Sequence, residues 1–358
     1  MEPATFKQIT ITDDEAALYD RQIRLWGVGA QKKLRAANVL LIGCNGVGSE
    51  VVKTLVLAGI NSVTIVDHEK VTHGDSLSNL FTCQAHGENR ALASEANVKI
   101  LNPNVTIRAV DADVSALIGS DSDPISDEFN SLIGDNGVVI VNNAKKSLAI
   151  RINNIIRSLD RKVLFYYTCN WGFFGFAFND LGKGHKYVVE EKINSDVSLD
   201  ADEGPVFKKK KAEETEKALV TKTLDFATLE AALAVKAGKP GLGLTKRTSP
   251  ILLLTHAVLN YAEENGSFPQ DRSEVEAVKQ AVSRTLESLG LDDSMQQKLD
   301  KFSFDNFIFG ELSPVSSIIG SVVAQDVIRA VSEKETPIRN FFLFNGIDYN
   351  GVIESVGK

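Results

Sequence analysis

Three glycines and one aspartate within residues 38–67 are the residues of this chain whose types and spacing most clearly indicate a chemical function. Residues 38–67 read NVLLIGCNGVGSEVVKTLVLAGINSVTIVD, and the first apolar run ends in Gly43, Gly46 and Gly48. A helical pattern follows, and a second apolar run ends at Asp67. Glycines let a backbone approach a phosphate, and the helix behind them offers free N–H groups and a positive dipole end. The pattern predicts a βαβ nucleotide-binding unit, in which Asp67 accepts hydrogen bonds from ribose hydroxyls.

The spacing of these glycines separates this loop from the dinucleotide fingerprint. The chain has G-x-x-G-x-G, whereas nicotinamide and flavin enzymes carry G-x-G-x-x-G. The difference argues against a nicotinamide or flavin enzyme. The same glycines also permit tight packing of a strand against a helix, so the loop alone leaves nucleotide binding open.

Composition and charge exclude several classes of function. The chain has 358 residues, 43% hydrophobic and 24% charged, with a net charge of −8, which is typical of a globular protein and argues against nucleic-acid binding. No apolar run reaches the roughly 18 residues of a membrane helix, and the polar N-terminus is unlike a secretory signal. Cys44, Cys83 and Cys169 are scattered, which excludes a disulfide framework and a four-cysteine zinc site, so we expect no metal site and a reducing compartment.

Alternating strand and helix patterns predict the fold class. Strands are expected at 105–111, 137–142 and 162–168, with helices at 87–101 and 146–158. This alternation predicts an α/β protein with a doubly wound, mostly parallel sheet. Further patterns predict antiparallel strands at 173–179 and 185–192, an apolar helix at 314–332 and a C-terminal hairpin.

A change of composition suggests the domain organisation. We expect residues 1–192 and 305–358 to form one Rossmann-like domain, residues 193–222 a flexible charged linker, and residues 223–304 a mostly helical insertion. Lys208 to Lys211 fit either a nuclear-import signal or a solvated basic stretch. The expected location is the nucleus and also the cytoplasm.

Several motifs together resemble one family, the ubiquitin-like-protein activating enzymes. They are YDRQIRLWG at 19–27, the GCNGVG loop with Asp67, ELSPVSSIIGSVVAQDVIRAVS at 311–332, and FFLFNGIDYNGVIE in the tail. The resemblance implies adenylation of the C-terminal glycine of a ubiquitin-like protein with ATP and magnesium, followed by thioester capture on a cysteine. Within the family the motifs are most similar to small subunits of SUMO-activating heterodimers. The implied partners are a large cysteine-bearing subunit, SUMO and, indirectly, a conjugating enzyme.

The sequence departs from the active members of this family around the nucleotide. Active subunits follow the ribose-binding acid with N-L-x-R-Q, a lysine in the next helix and a later D-N pair. Here Asn79 and Leu80 are retained, but the other positions carry Thr82, Cys83, Arg90, Asn142 and Asn143. A neutral amide is a much weaker magnesium ligand than a carboxylate. We therefore expect Gly43, Gly46, Gly48 and Asp67 to form a vestigial, unoccupied pocket, with ATP and Mg²⁺ bound mainly by the partner.

Arg21 is the candidate catalytic residue of this chain. In the family, the arginine of YDRQIRLWG reaches across the dimer to ATP phosphates held by the other subunit. A guanidinium is always charged and can fork onto phosphate oxygens. Position alone favours an ordinary pairing of Arg21 with a surface acid, and the family motif reverses that preference. Arg24 is a weaker second candidate, and Asp20 is expected to orient an arginine or cap the segment.

Other functions remain to be weighed. The small subunit of the NEDD8-activating enzyme is one, although those chains carry a longer insertion. A homodimeric bacterial-type adenylating enzyme is disfavoured by the missing Arg-Gln pair and Asp, and an NAD-dependent oxidoreductase by the glycine spacing. A scaffold without phosphate chemistry differs only in the role of Arg21. Cys83 and Cys169 are weak candidates for a thioester nucleophile, because free cysteines are commonly structural.

Overall fold

The computed structural model describes residues 11–119, 126–193, 216–238 and 243–357. Its strands are β1 Asn38–Ile42, β2 Ser62–Val66, β3 Thr106–Val110, β4 Val138–Asn142, β5 Leu164–Trp171, β6 Phe174–Asp180, β7 His185–Ile193, β8 Glu216–Leu224, β9 Phe341–Asn345 and β10 Asn350–Glu354. The α-helices are α1 Asp13–Leu18, α2 Asp20–Trp26, α3 Val28–Arg35, α4 Gly46–Leu57, α5 His73–Ser78, α6 Arg90–Leu101, α7 Val114–Ile118, α8 Asp127–Ile133, α9 Lys146–Ser158, α10 Leu229–Leu233, α11 Pro250–Asn265, α12 Val275–Leu289, α13 Asp293–Asp300 and α14 Ser313–Ser332. Two short 3₁₀ turns are Arg272–Glu274 and Phe304–Asn306.

Eight strands form the central sheet, in the order β10-β9-β6-β5-β4-β1-β2-β3. Neighbours from β5 to β3 are parallel, and β6, β9 and β10 are added antiparallel at the other side. Because β1 lies between β2 and β4, the chain reverses its direction of winding there. This is the doubly wound, mostly parallel sheet that the sequence predicts. In such sheets ligands bind at the carboxyl ends of the strands beside that reversal.

The two faces of the sheet are covered by different helices. Leu40 and Ile42 belong to the apolar core shared with α8, α9 and α11. Val39 and Leu41 point to the opposite face and pack with α4, α6 and α14. Successive residues of a strand face opposite sides, so the unbroken apolar run of β1 is what a strand buried on both faces requires.

Helix α14 is a core helix. Val315, Ile319 and Val323 are 4%, 0% and 1% exposed. A Cβ on Gly320 would lie 2.5 Å from Cβ of Glu50 in α4, which explains a glycine in mid-helix. The helix is long and apolar enough to cross a membrane, yet most of its apolar window is buried inside the protein. The wide apolar stripe of 314–332 is therefore used largely within this chain.

The structure changes one boundary of the expected domain organisation and shows how the helical segment packs. The predicted linker extends to residue 222, but residues 216–224 form β8, which pairs antiparallel with β7 in a separate two-stranded ribbon. Residues 194–215, which include Lys208 to Lys211, lie outside the described residues. Residues 223–304 contain four helices in their described part, but α11 packs against α9, β6 and β9 and shares their apolar core. This segment is thus a layer over the sheet rather than a separate insertion.

Candidate functional site: the glycine loop and the N-terminal arginine

The glycine loop follows β1 at the point where the sheet reverses its winding. Gly43 has φ +87°, and a Cβ there would lie 2.3 Å from the Asn142 carbonyl oxygen, so only glycine fits. Helix α4 then begins at Gly46, with Asn45 as its N-cap. A Cβ on Gly48 would lie 2.5 Å from the Gly43 carbonyl oxygen. Gly43 and Gly48 are therefore explained by close packing within the loop, whether or not a nucleotide binds.

Asp67 follows β2 beside this loop, as the sequence predicts, but its carboxylate is fully engaged. Oδ2 accepts hydrogen bonds from Cys44 N–H and Arg90 Nε, both at 2.7 Å. Oδ1 accepts from Glu69 N–H at 2.9 Å and Arg90 Nη2 at 3.2 Å. A carboxylate offers about four lone-pair sites. All four are used within the chain, so a ribose hydroxyl could bind Asp67 only by displacing one of these donors.

Arg90 donates hydrogen bonds to both carboxylate oxygens of Asp67. It lies at the first position of α6, where a cation is disfavoured by the helix dipole, and its side chain is only 14% exposed. Two carboxylates offset both costs: Asp67, and Asp75, whose Oδ1 accepts from Nη1 at 3.1 Å. Burial by itself lowers the pKa of Arg90. The charge and hydrogen bonds of Asp67 outweigh this effect and raise the pKa above its ordinary value. The guanidinium is therefore committed to two internal acids.

Glu311, which precedes α14, lies at the N-terminus of α4. Its Oε2 accepts from the Gly46 N–H at 3.1 Å and from Ser78 Oγ at 3.1 Å, and its Oε1 accepts from Asn45 Nδ2. A Cβ on Gly46 would lie 2.6 Å from Ser316 Oγ and 2.9 Å from Glu311 Oε2, so a larger residue here would push these side chains aside. Burial raises the pKa of Glu311 to about 7, against the lowering effect of the Gly46 N–H.

Asn142 is held in a hydrogen-bond network at the end of β4. Its Oδ1 accepts from Thr168 Oγ1 at 2.9 Å, and its Nδ2 donates to the Gly43 carbonyl at 3.2 Å and to Asn45 Oδ1. The residue thus ties the glycine loop to the sheet. Asn143, with φ +53°, accepts from Cys169 Sγ at 3.1 Å. Across the part of the chain that the structure describes, no group of three or more His, Cys, Asp or Glu side chains could hold a metal ion.

Two of the three cysteines are inaccessible. Cys44 and Cys169 are fully buried, and burial raises the pKa of both thiols, that of Cys44 to about 12. A thioester nucleophile must be exposed and readily ionised, which excludes Cys169 in this conformation. Cys83 is exposed and free, in the loop after α5.

Arg21 lies on a different surface, in the short helix α2. Its side chain is exposed, and it makes no hydrogen bond or ion pair with any residue of the described ranges. Arg24, one turn further on, pairs with Asp20 at 3.0 Å, as expected for Asp20 as a residue that orients an arginine. The structure therefore separates the two arginines: Arg24 has an internal partner, and Arg21 has none within those ranges.

Large apolar side chains are exposed around Arg21. Leu18, Leu25 and Val28 are 58%, 79% and 49% exposed on α1, α2 and α3. Leu57 ends α4 and is also exposed, and its carbonyl accepts from Gln22 Nε2 of α2 at 3.2 Å. Exposed apolar residues grouped around a charged one are typical of a protein–protein interface.

Sequence reasoning missed two residues, Glu311 and Asp75, that surround the glycine loop. Glu311 stands in the ELSP motif, but its contact with Gly46 joins positions 265 residues apart, and no local pattern encodes it. Asp75 is the third residue of α5 and forms a capping box with Thr72, which gives it an ordinary local role. Arg90 departs visibly from the family pattern, but the sequence does not predict its ion pairs.

A doubly wound sheet with a glycine loop at its winding reversal is typical of nucleotide-binding α/β proteins. The chain belongs to the ThiF family, whose family model matches residues 19–356. It is 33% identical to SUMO-activating enzyme subunit 1 of Danio rerio, over 96% of this chain and 95% of that protein. It is 31% identical to SUMO-activating enzyme subunit 1 of Homo sapiens, over 97% of this chain and 96% of that protein.

A more distant likeness supports the fold. The crystal structure of PaaA matches all of this chain and 78% of that chain with a TM-score of 0.54, at 12% sequence identity. At that identity the match bears on architecture alone. It agrees with the doubly wound sheet and its covering helices.

Proposed function

We propose that this chain is the small subunit of a heterodimeric SUMO-activating enzyme. With a large, cysteine-bearing partner it supports ATP-dependent adenylation of SUMO and its transfer to a thioester on the partner. The main support is similarity to SUMO-activating enzyme subunit 1 along almost the whole chain. The buried Cys44 and Cys169 are inaccessible to a thioester partner, whereas Cys83 is exposed, so the assignment of the thioester cysteine to the partner rests on the similarity alone.

The second part of the proposal concerns the division of labour. We infer that the partner holds ATP and Mg²⁺, and that this chain contributes Arg21 in trans to the phosphates. The observation that carries this inference is the contrast between a glycine loop filled by its own side chains and an exposed arginine without a partner among the described residues. An arginine held against phosphates stabilises charge that moves toward pyrophosphate as the acyl-adenylate forms.

Pyrophosphate exchange tests the proposal directly. The purified chain, the purified large subunit and the reconstituted complex are each incubated with ATP, labelled pyrophosphate and SUMO. We expect exchange by the complex and none above background by this chain alone. Robust exchange by the isolated chain would overturn the division of labour, and no exchange by the complex would overturn the assignment to SUMO activation.

The same assay separates the alternative pathway. The small subunit of a NEDD8-activating enzyme would support exchange with NEDD8 and its own large subunit. We expect exchange with SUMO and not with NEDD8.

We also propose that the complex acts in the nucleus as well as the cytoplasm. Localisation of a fluorescent fusion tests this, with a variant in which Lys208 to Lys211 are replaced by alanine as the comparison.

A further inference from the structure

Glu311 occupies the position where a glycine loop holds a phosphate. The N-terminus of a helix binds anions through its free N–H groups and its positive dipole end. In this chain α4 has twelve residues, and its first N–H, from Gly46, donates to Glu311 Oε2 at 3.1 Å. The loop side chain of Asn45 and the hydroxyl of Ser78 donate to the same carboxylate. An internal anion thus satisfies the groups that would bind an external one.

A cavity remains beside this carboxylate. It measures about 180 Å³, and Glu311, Arg90, Asn170 and Trp171 are among its lining residues. Asn170 and Trp171 are 2% and 1% exposed, yet Asn170 Oδ1 and Trp171 Nε1 have no hydrogen-bond partner in the described structure. Buried polar atoms of native proteins are normally paired. Two residues of the cavity wall therefore carry buried polar atoms without a partner, one of them a donor.

The charges around the cavity oppose a phosphate. Glu311 and Asp75 both line the cavity. Arg90 also lines it, but its guanidinium is already paired with Asp75 and Asp67. Above about pH 7, where Glu311 is mainly ionised, a phosphate entering here would meet two carboxylates with no free counter-charge from Arg90. Two like charges a few ångströms apart in a poorly solvated site repel strongly.

We propose that Glu311 is a specificity-determining residue that keeps nucleotide phosphates out of this chain, because its carboxylate takes their place at the start of α4. Combined with the proposed function, on which this consequence rests, Glu311 confines ATP to one half of the heterodimer. Replacing the Glu311 side chain by a small neutral one removes the internal anion and leaves the Gly46 N–H, Asn45 Nδ2 and Ser78 Oγ free for an external anion.

Pyrophosphate binding to the full-length isolated chain tests this role, by calorimetric titration at constant ionic strength and at pH 8, where Glu311 is mainly ionised. We expect Glu311→Ala to bind pyrophosphate at least tenfold more tightly than the wild type. Glu311→Gln removes the charge but retains the side-chain volume, so its affinity should lie between those of the wild type and Glu311→Ala. Glu69→Ala is the matched control, since it removes an equal charge from an exposed side chain close to Asp67, and it should leave binding unchanged.

Two results would overturn the proposal: equal binding by Glu311→Ala and the wild type, or binding by Glu311→Gln as tight as by Glu311→Ala. If Glu311→Ala does not fold, photolabelling of the wild-type chain with 2-azido-ATP decides the question. We expect no specific label on the isolated chain, and labelling that an excess of ATP suppresses contradicts the proposal. Both readouts use the isolated chain, so their failure leaves SUMO activation by the complex untouched.

Discussion

Two arginines of this chain have opposite surroundings. Arg90 is buried beside the glycine loop and forms ion pairs with Asp67 and Asp75, whereas Arg21 is exposed on α2 and has no partner within the described ranges. Arg90 stands close to the expected nucleotide pocket, yet its charge is already neutralised. Arg21 lies apart from that pocket, yet its charge is available. Proximity to a nucleotide motif is therefore a poor guide to which residue acts on phosphate, and the commitment of its donors is a better one.

Removal of Arg90 should produce the largest effect and mark its region as structural. Arg90→Ala leaves Asp67 and Asp75 buried without their counter-charge, and breaking a buried ion pair in this way costs about 3–5 kcal/mol. Urea unfolding of the isolated chain measures the loss. Arg24→Ala is the matched control, because its ion pair with Asp20 is exposed and should contribute less than about 1 kcal/mol. Equal, small losses in both variants would remove the distinction between the two regions.

A pH dependence should come from the closed loop through Glu311. The pKa of Glu311 is raised from 4.5 to about 7, so its carboxyl group takes up a proton at a higher pH in the folded protein than in the unfolded chain, and it is mainly ionised above pH 7. The stabilisation is complete below pH 4.5, is lost as the pH rises toward 7, and amounts to at most about 3 kcal/mol. Between pH 5 and pH 8 the free energy of unfolding should therefore fall further in the wild type than in Glu311→Gln. Parallel pH profiles of the two proteins would show that Glu311 does not titrate in this range.

The surface around Arg21 should respond in assembly rather than in stability. Leu25 is 79% exposed, and its burial against a partner should contribute about 1.5 kcal/mol, roughly tenfold in affinity. Leu25→Ala should weaken binding to the large subunit by that factor, as measured by analytical ultracentrifugation. Leu219→Ala is the matched control, since Leu219 is 74% exposed on the β7–β8 ribbon. Comparable weakening by both variants would mean that the N-terminal helices are not a particular contact surface.

The sequence predicts the frame of the molecule better than the state of its loop. Apolar runs and glycine spacing locate β1, α4 and β2, because strand and helix periods are local properties. They also bring Asp67 to the carboxyl edge of the sheet. Arg90 pairs with Asp67 across 23 residues of sequence, and Glu311 accepts from the N-terminus of α4 across 265 residues. Such contacts follow from tertiary packing, so the same glycine motif is compatible with a loop that is free to bind phosphate and with a loop whose donors are used by the chain's own side chains.

Packing also decides how apolar residues are used. The stripe of 314–332 reads equally well as core or as interface, and the structure assigns Val315 and Ile319 to the core. The reverse holds for Leu18 and Leu25, which the short pattern of α1 and α2 does not distinguish from core positions and which are exposed. The helical spacing of apolar residues reveals a buried stripe but not what buries it.

Single-turnover formation of the SUMO adenylate, with the large subunit present, tests the central contrast most directly. Arg21→Ala should slow this step about 10- to 100-fold, a loss of about 1.4–2.7 kcal/mol in transition-state stabilisation, while the heterodimer still assembles. Arg21→Lys should restore only part of the rate, because an ammonium cannot fork onto two phosphate oxygens. Arg24→Ala, whose arginine already has a partner, should react like the wild type. An unchanged rate for Arg21→Ala in an intact heterodimer would contradict the account and leave this chain without a part in the phosphate chemistry.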